Sequence, residues 1–154
     1  MSSEIYTIGY GNRSIQVFIQ LLQKYEIQIL IDVRTNPFSR FNPDFRSKKL
    51  ELHLINHNIR YLFLGYELGG KPSDLDCYTN YEVDYQKIQS KVFFTIGIEE
   101  VININHEGLK TALMCSEQSP LYCHRKALIG DYLQANGFDV RHIDKDGTIL
   151  NELF

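Results

Sequence analysis

From Ile27 to Val33 the chain reads IQILIDV, an almost unbroken apolar run of strand length. A strand with one face in water alternates apolar and polar residues, whereas a strand covered on both faces does not. The run therefore predicts an interior strand of a parallel sheet. Parallel neighbours need long crossover connections, normally helical, so the remaining sequence should alternate strands with helices.

It does. Glu4–Ile8, Ile59–Leu64, Lys110–Met114 and Phe138–Ile143 read as four further strands. Ser14 is a candidate N-cap for a helix that sets Ile15, Phe18, Ile19 and Leu22 on one face. Ser47 is a candidate cap for a short helix through His57, with Leu50, Leu54 and His57 facing inward. Tyr81, Tyr85, Ile88, Val92 and Ile96 step at helical spacing, with Gly97 a candidate kink and the pattern resuming through Ile104. Leu128, Ile129, Tyr132 and Leu133 mark a last amphipathic helix, stopped by Gly137. Gly65–Asn80 reads as loop, and Thr148–Leu150 as a short antiparallel edge after the turn Lys145-Asp-Gly147. The expected architecture is an α/β fold in three layers: a mostly parallel central sheet of about five strands with helices on both faces, forming one domain over residues 1–154.

Composition narrows the function. A chain of 154 residues with 44% hydrophobic and 23% charged residues can build its own core, so neither disulfides nor metal are required for stability. There is no apolar run of about 18 residues, so no membrane association is expected. The start, MSSEIYTIGY, lacks a basic n-region and a long apolar h-region, and a cytoplasmic location is expected. In that reducing compartment Cys115 and Cys123 should be thiols with no disulfide between them, and Cys77 a bystander. The net charge of −3 excludes a protein that coats nucleic acid by bulk charge. The charge is uneven, however. Asp32–Lys49 carries five basic residues against two acidic ones, a net +3 that leaves the rest at −6 and suggests a local anion-binding patch.

In open α/β sheets ligands bind beyond the carboxyl ends of the strands. The residues following each expected strand are therefore the candidates. After the first come Tyr10, Asn12 and Arg13; after the second, Asp32, Arg34 and Arg40; after the third, Glu67 and Lys71 around Gly69-Gly70. The fourth gives Cys115, Glu117, Cys123, His124 and Arg125, and the fifth Asp144. The stretch Cys115–Arg125 leaves a buried strand for a helix start, where backbone N–H groups favour anions and lower a thiol pKa. Four readings of it compete. One is a thiolate nucleophile at Cys123 or Cys115. The phosphatase pattern needs Arg six residues after Cys, and that position after Cys115 is Leu121. The second is a metal site from Cys115, Glu117, Cys123 and His124, whose spacing matches no zinc pattern. The third is a phosphate pocket clamped by Arg125, Arg34 and Arg40. The last is structural: two packed thiols, His124 as a helix cap and Arg125 paired with a carboxylate.

Asp32 carries a similar choice between a general base and a buried ion pair with Arg34 or Arg125. Arg34, Arg40 and Arg46 alternate with Phe38, Phe41 and Phe45, a mixture suited to stacking on bases and contacting phosphates. Alternatively the rings anchor the loop. The expectation is that Phe38 or Phe41 anchors it while Arg40 points into a cleft. His53 and His57 lie four apart without the Glu of a metalloprotease motif.

Thr7–Ser14, Asp32-Val-Arg34, Pro37–Arg40, Pro43–Phe45, Leu68–Lys71, Leu113–Glu117 and Cys123-His-Arg125 together resemble, in order and over nearly the whole chain, the bacterial family called domain of unknown function 488. That family usually has His-Ser where this chain has Tyr10-Gly11. The resemblance implies a compact cytoplasmic α/β domain with a link to nucleic-acid or nucleotide processing.

The leading expectation is a small enzyme acting on a nucleic-acid or nucleotide-related, phosphate-bearing substrate. Asp32 and Glu117 would act as acid or base, with Cys115 and Cys123 as further catalytic candidates. Tyr10, Asn12, Arg13, Arg34, Arg40, Lys71, His124 and Arg125 would bind the substrate. No cofactor and no metal are expected. One alternative is cysteine-dependent sulfur transfer or redox chemistry. Another is a module that binds nucleic acid or a partner without turnover.

Overall fold

Leu30 and Ile31 are neighbours in the chain, both fully buried, and they belong to the two different cores on either side of one sheet. The computed structural model describes residues 4–150, the side chain of Tyr122 excepted. In chain order the elements are β1 (Glu4–Gly9), α1 (Ile15–Lys24), β2 (Ile29–Asp32), α2 (Ser47–Ile55), β3 (Arg60–Phe63) and α3 (Gly65–Leu68). They continue with β4 (Tyr78–Thr79), β5 (Glu82–Val83), α4 (Tyr85–Gln89), α5 (Val92–His106), β6 (Thr111–Cys115), α6 (Asp131–Ala135) and β7 (Asp139–His142). The central sheet has five strands in the order β3-β2-β6-β1-β7, all parallel. The edge expected at Thr148–Leu150 is a single antiparallel bridge, Ile143 to Ile149.

One face carries α1 and α2, whose Ile15, Phe18, Leu22, Leu50 and Leu54 pack on Tyr6, Ile8, Leu30 and Met114. The other carries α5 and the final helical segment, with Phe94, Ile98, Val101, Leu128 and Leu133 against Ile5, Ile29, Ile31 and Leu113. Helix α1 forms where its apolar stripe predicts, and the Ser14 hydroxyl accepts a hydrogen bond from the Val17 N–H at 3.1 Å. Gly137 has φ +94°, the left-handed conformation that ends α6 without a Cβ penalty.

Several local expectations are corrected. Ser47 is the first residue of α2 rather than its cap, which is Arg46, and His57 is exposed beyond the helix end. The stretch 65–80 contains α3, a 3₁₀ turn and β4, which pairs with β5 as a small hairpin. Tyr81 sits in that hairpin, fully exposed with φ 67°, so the expected stripe fails at its first member. Helix α5 then runs unbroken through Gly97, burying Phe94, Ile98, Val101 and Ile104 while Val92 and Ile96 face solvent. A Cβ on Gly97 would lie 2.7 Å from side-chain atoms of Glu67 and Leu68, so this glycine lets α3 press onto α5.

Helix direction fixes where a ligand can enter. The chain leaves β2 toward β3 across the face of α1 and α2, and leaves β6 toward β7 across the opposite face. Strands β2 and β6 are neighbours whose connections depart in opposite directions, so the loops beyond their carboxyl ends part and leave a crevice.

Candidate functional site

That crevice is a cleft of about 510 Å³. The β2 end supplies Arg34, Thr35, Asn36 and Phe38, and the β6 end Cys115, Ser116 and Glu117, with Cys123 and His124 farther along the same connection. Tyr10 follows β1, Gly70 and Lys71 follow α3, and Tyr85 comes from α4.

Asp32 ends β2 and is completely buried beneath this cleft rather than on its wall. It accepts four hydrogen bonds: from the Arg34 backbone N–H at 3.1 Å, Arg34 Nε at 2.9 Å, Arg34 Nη2 at 2.8 Å and the Tyr61 hydroxyl at 2.7 Å. Two of these form a bidentate fork, the geometry that fixes a guanidinium most firmly. Burial lowers the Arg34 pKa, but the hydrogen bond and charge of Asp32 outweigh it, and the pKa is raised. Burial, with the Asp32 charge, raises that of Tyr61, which stays a proton donor. Arg34 is 5% exposed and its guanidinium lies 5.4 Å from the centre of the Tyr10 ring. Its remaining terminal nitrogen, Nη1, is buried and makes no hydrogen bond among the described residues. A buried N–H left unpaired costs about 1–3 kcal/mol, and more on a charged group.

Three glycines bring the 65–71 segment against this wall. A Cβ on Gly65 would fall 1.8 Å from the Arg34 carbonyl oxygen, one on Gly69 2.4 Å from Thr35 Oγ1, and one on Gly70 2.9 Å from the His124 ring. The Lys71 N–H donates to Thr35 Oγ1 at 3.0 Å, which fixes Lys71 at the rim.

On the opposite wall, a 3₁₀ turn at Pro120–Tyr122 brings the Cys123 sulfur back against that of Cys115. Their Cα atoms are 7.3 Å apart, farther than a disulfide spans without backbone movement. Compartment chemistry, on which the expectation of no disulfide rested, governs oxidation state but says nothing of whether two sulfurs meet. The Arg125 N–H is 3.5 Å from the Cys123 sulfur, and Arg125 Nη1 is 3.8 Å from that of Cys115. His124 Nε2 lies 2.8 Å from the Val33 carbonyl, which can only accept, so Nε2 carries the proton. Nδ1 is left bare, 3.7 Å from the Cys123 sulfur. Burial pushes the His124 pKa down, keeping the ring neutral. Cys77 is buried in the core away from the cleft. Among the described residues no group of His, Cys, Asp and Glu is arranged to hold a metal ion.

The cleft thus gathers Tyr10, Arg34, Lys71, Cys115, Glu117, Cys123 and His124 from the sequence candidates. Asn12 lines an adjoining depression of about 370 Å³ that shares Tyr10, Ser116 and Glu117. The other basic candidates lie elsewhere. Arg13 donates to the Gly9 and Asp144 carbonyls, and Arg125 is wholly buried behind the β6 loop. Arg125 donates to the carbonyls of Glu117 (3.0 Å), Gln118 (2.9 Å) and Ile143 (3.2 Å), with no carboxylate partner among the described residues. Burial, and then the charge of Arg13, lowers its pKa. It is a brace for the loop that carries Glu117. Helical winding after Cys123 begins as a π-helix, Arg125–Gly130.

The expected loop anchor is also corrected. Phe38 is 51% and Phe41 89% exposed, and Arg40 is exposed beside the Phe41 ring rather than in the cleft. Phe45 is the anchor: fully buried, stacked on Tyr10 at 4.3 Å and edge-on to Phe18 at 5.0 Å. Thr35, Asn36 and Ser116 escaped the sequence reading although they follow strand ends, the same signal that found Arg34. Tyr61 and Tyr85 had no such signal.

An all-parallel, three-layer α/β domain with its cleft at a switch point defines the class. Within it, the family model called Domain of unknown function DUF488 matches residues 14–133, and the chain belongs to that family. The match stops short of β1 and β7, which the sheet needs. No curated protein and no solved structure matches the chain. Among the described residues, no helix is long and apolar enough to cross a membrane.

Proposed function

We infer that this protein is a small cytoplasmic enzyme that takes a phosphate-bearing, nucleotide-class substrate in the switch-point cleft. The observation that carries the reading is Arg34: a guanidinium fixed along its Nε–Nη2 edge by Asp32, in the cleft wall, with Nη1 unpaired among the described residues. A phosphate oxygen would satisfy that buried donor once the cleft wall gives way at Tyr10, whose ring lies 5.4 Å from the guanidinium, and Lys71 at the rim would add charge. Asp32, saturated by four donors, positions Arg34 rather than moving protons. Glu117 is the carboxylate of the cleft lining and takes the acid or base role. The test is titration of pyrophosphate and a nucleoside 5′-monophosphate into the wild type, Lys71→Ala and Arg34→Lys, with folding checked by circular dichroism. Binding should fall several-fold in Lys71→Ala and more steeply in Arg34→Lys, which loses the fork. Equal affinity in all three refutes the reading.

A second reading has its own support in the adjacent sulfurs of Cys115 and Cys123 beside His124 Nδ1, which a disulfide form of the pair would join. Here the pair is a redox couple. A small thiol attacks one sulfur, a second thiol releases it, and two cysteine thiols and one external disulfide result. The bare His124 Nδ1 would take the proton of the attacking thiol and pass it to the Cys123 sulfur as that sulfur departs. Replacing both cysteines by Ser discriminates: turnover of a phosphate substrate survives in the first reading, and thiol–disulfide exchange disappears in the second.

A further inference from the structure

A second cavity of about 450 Å³ adjoins the cleft, and Thr35 and Lys71 line both. Its character differs. Phe63, Tyr66 and Phe93 contribute rings, with Pro72 beside them. Tyr66 and Phe93 stand with ring centres 6.0 Å apart at an interplanar angle of 56°, so they form an open wedge rather than a closed stack. Tyr66 is 71% exposed, although a tyrosine on a short helix beside two phenylalanines could have been packed away. Gly65 ties this cavity to the anion site. The position its Cβ would take is 1.8 Å from the Arg34 carbonyl oxygen and 2.5 Å from the Phe63 ring, so the ring lies directly against the backbone of the anion-binding arginine.

We propose that this cavity is the subsite for the aromatic base of the nucleotide whose phosphate Arg34 holds, with Tyr66 as its stacking platform. The inference rests on the anion-site reading above. It deepens that reading by specifying a ligand that carries an aromatic ring on the Thr35–Lys71 side of its phosphate. Stacking on aromatic side chains suits any base because every base has a π-face. The polar lining at Ser73 gives the edge of a base a hydrogen-bonding partner, while the Asp74 oxygens are held by the Asp76 N–H and Lys91.

Calorimetric titration separates the two sites. The probes are the four common ribonucleoside 5′-monophosphates, their nucleosides, and ribose 5-phosphate, against wild type and Tyr66→Ala. Tyr66 is exposed enough that its loss should leave the fold intact. At least one nucleotide should bind the wild type about tenfold or more tighter than ribose 5-phosphate, as expected for one stacked base. Tyr66→Ala should cancel that advantage and leave ribose 5-phosphate binding unchanged. If ribose 5-phosphate binds as tightly as every nucleotide, or Tyr66→Ala weakens both alike, the base subsite is refuted and the anion site stands. If a nucleoside binds through Tyr66 and its phosphate adds nothing, the anion site is refuted and the ring subsite stands. If no probe binds the wild type, both are refuted.

Discussion

Replacing Asp32 by Asn removes the charge buried beneath the cleft against which Arg34 in the cleft wall is held. The amide oxygen can still accept from the Arg34 N–H and Nε, where Oδ1 now sits at 3.1 and 2.9 Å. The amide nitrogen, however, then faces two donors, Arg34 Nη2 and the Tyr61 hydroxyl, where Oδ2 now accepts at 2.8 and 2.7 Å. Arg34 keeps its charge at 5% exposure with no anion beside it. Removing one member of a buried ion pair costs about 3–5 kcal/mol because the other charge is left uncompensated. For a chain of this length each kcal/mol moves the midpoint by about 2–4 °C, so Tm should fall by about 6–20 °C. Urea unfolding followed by far-ultraviolet circular dichroism gives the free energy directly. The control is Asp32→Leu with Arg34→Met, which removes both charges and should cost far less than the single change. A loss below about 1 kcal/mol in Asp32→Asn, or an equal loss in single and double variants, refutes charge compensation as the role of Asp32.

The Tyr10–Phe45–Phe18 cluster predicts that Phe45→Ala costs about 3–5 kcal/mol while Phe41→Ser stays within about 0.5 kcal/mol by urea midpoints; equal losses would refute Phe45 as the anchor. Burial, then the charges of Arg125 and Lys126, pushes His142 down from 6.5 to about 4, so the unfolded chain takes the proton first as pH falls. The stability this histidine lends is complete above about pH 6.5 and fades toward pH 4, by about 3 kcal/mol. His142→Gln should flatten that part of the stability–pH curve, and an unchanged slope between pH 7 and 4.5 refutes the assignment. Arg125→Lys should cost about 2–4 kcal/mol, since a lysine cannot reproduce the fork across the Glu117, Gln118 and Ile143 carbonyls; urea curves coincident with wild type would rule out the brace.

What the sequence revealed was whatever local spacing controls. The IQILIDV run, the Ile15–Leu22 stripe and Gly137 each act within a few residues, and each took the predicted form. The strand-end rule likewise found Arg34, Glu117 and both cysteines, because topology alone delivers those positions to one side of the sheet. Choices between equivalent residues were not legible. Phe38, Phe41 and Phe45 are the same side chain on one loop, and only contact with Tyr10 and Phe18 selects Phe45. Residues 92–104 are apolar on most sides, so two helical stripes fit, and the packing of α3 at Gly97 decides for Phe94 and Ile98. Arg125 looked like an anion clamp because its carbonyl partners at 117, 118 and 143 leave no trace in sequence.

Strand β1 is synthesised well before its two sheet neighbours: it lies between β6 and β7, whose residues begin at Thr111 and Asp139. At about 5–20 residues per second, roughly a hundred residues of further synthesis leave Ile5 and Ile8 without a neighbouring strand for about 5–20 s. Within the central sheet, the β2–β3 pair is the one that can close before β6 is made. Sheet assembly must therefore wait until β6 has been made, and a nascent chain halted before β6 presents an apolar strand with nothing to pair with but another chain. For this topology, the pace of elongation and the presence of a holding chaperone bear on yield as much as the stability of the finished fold does.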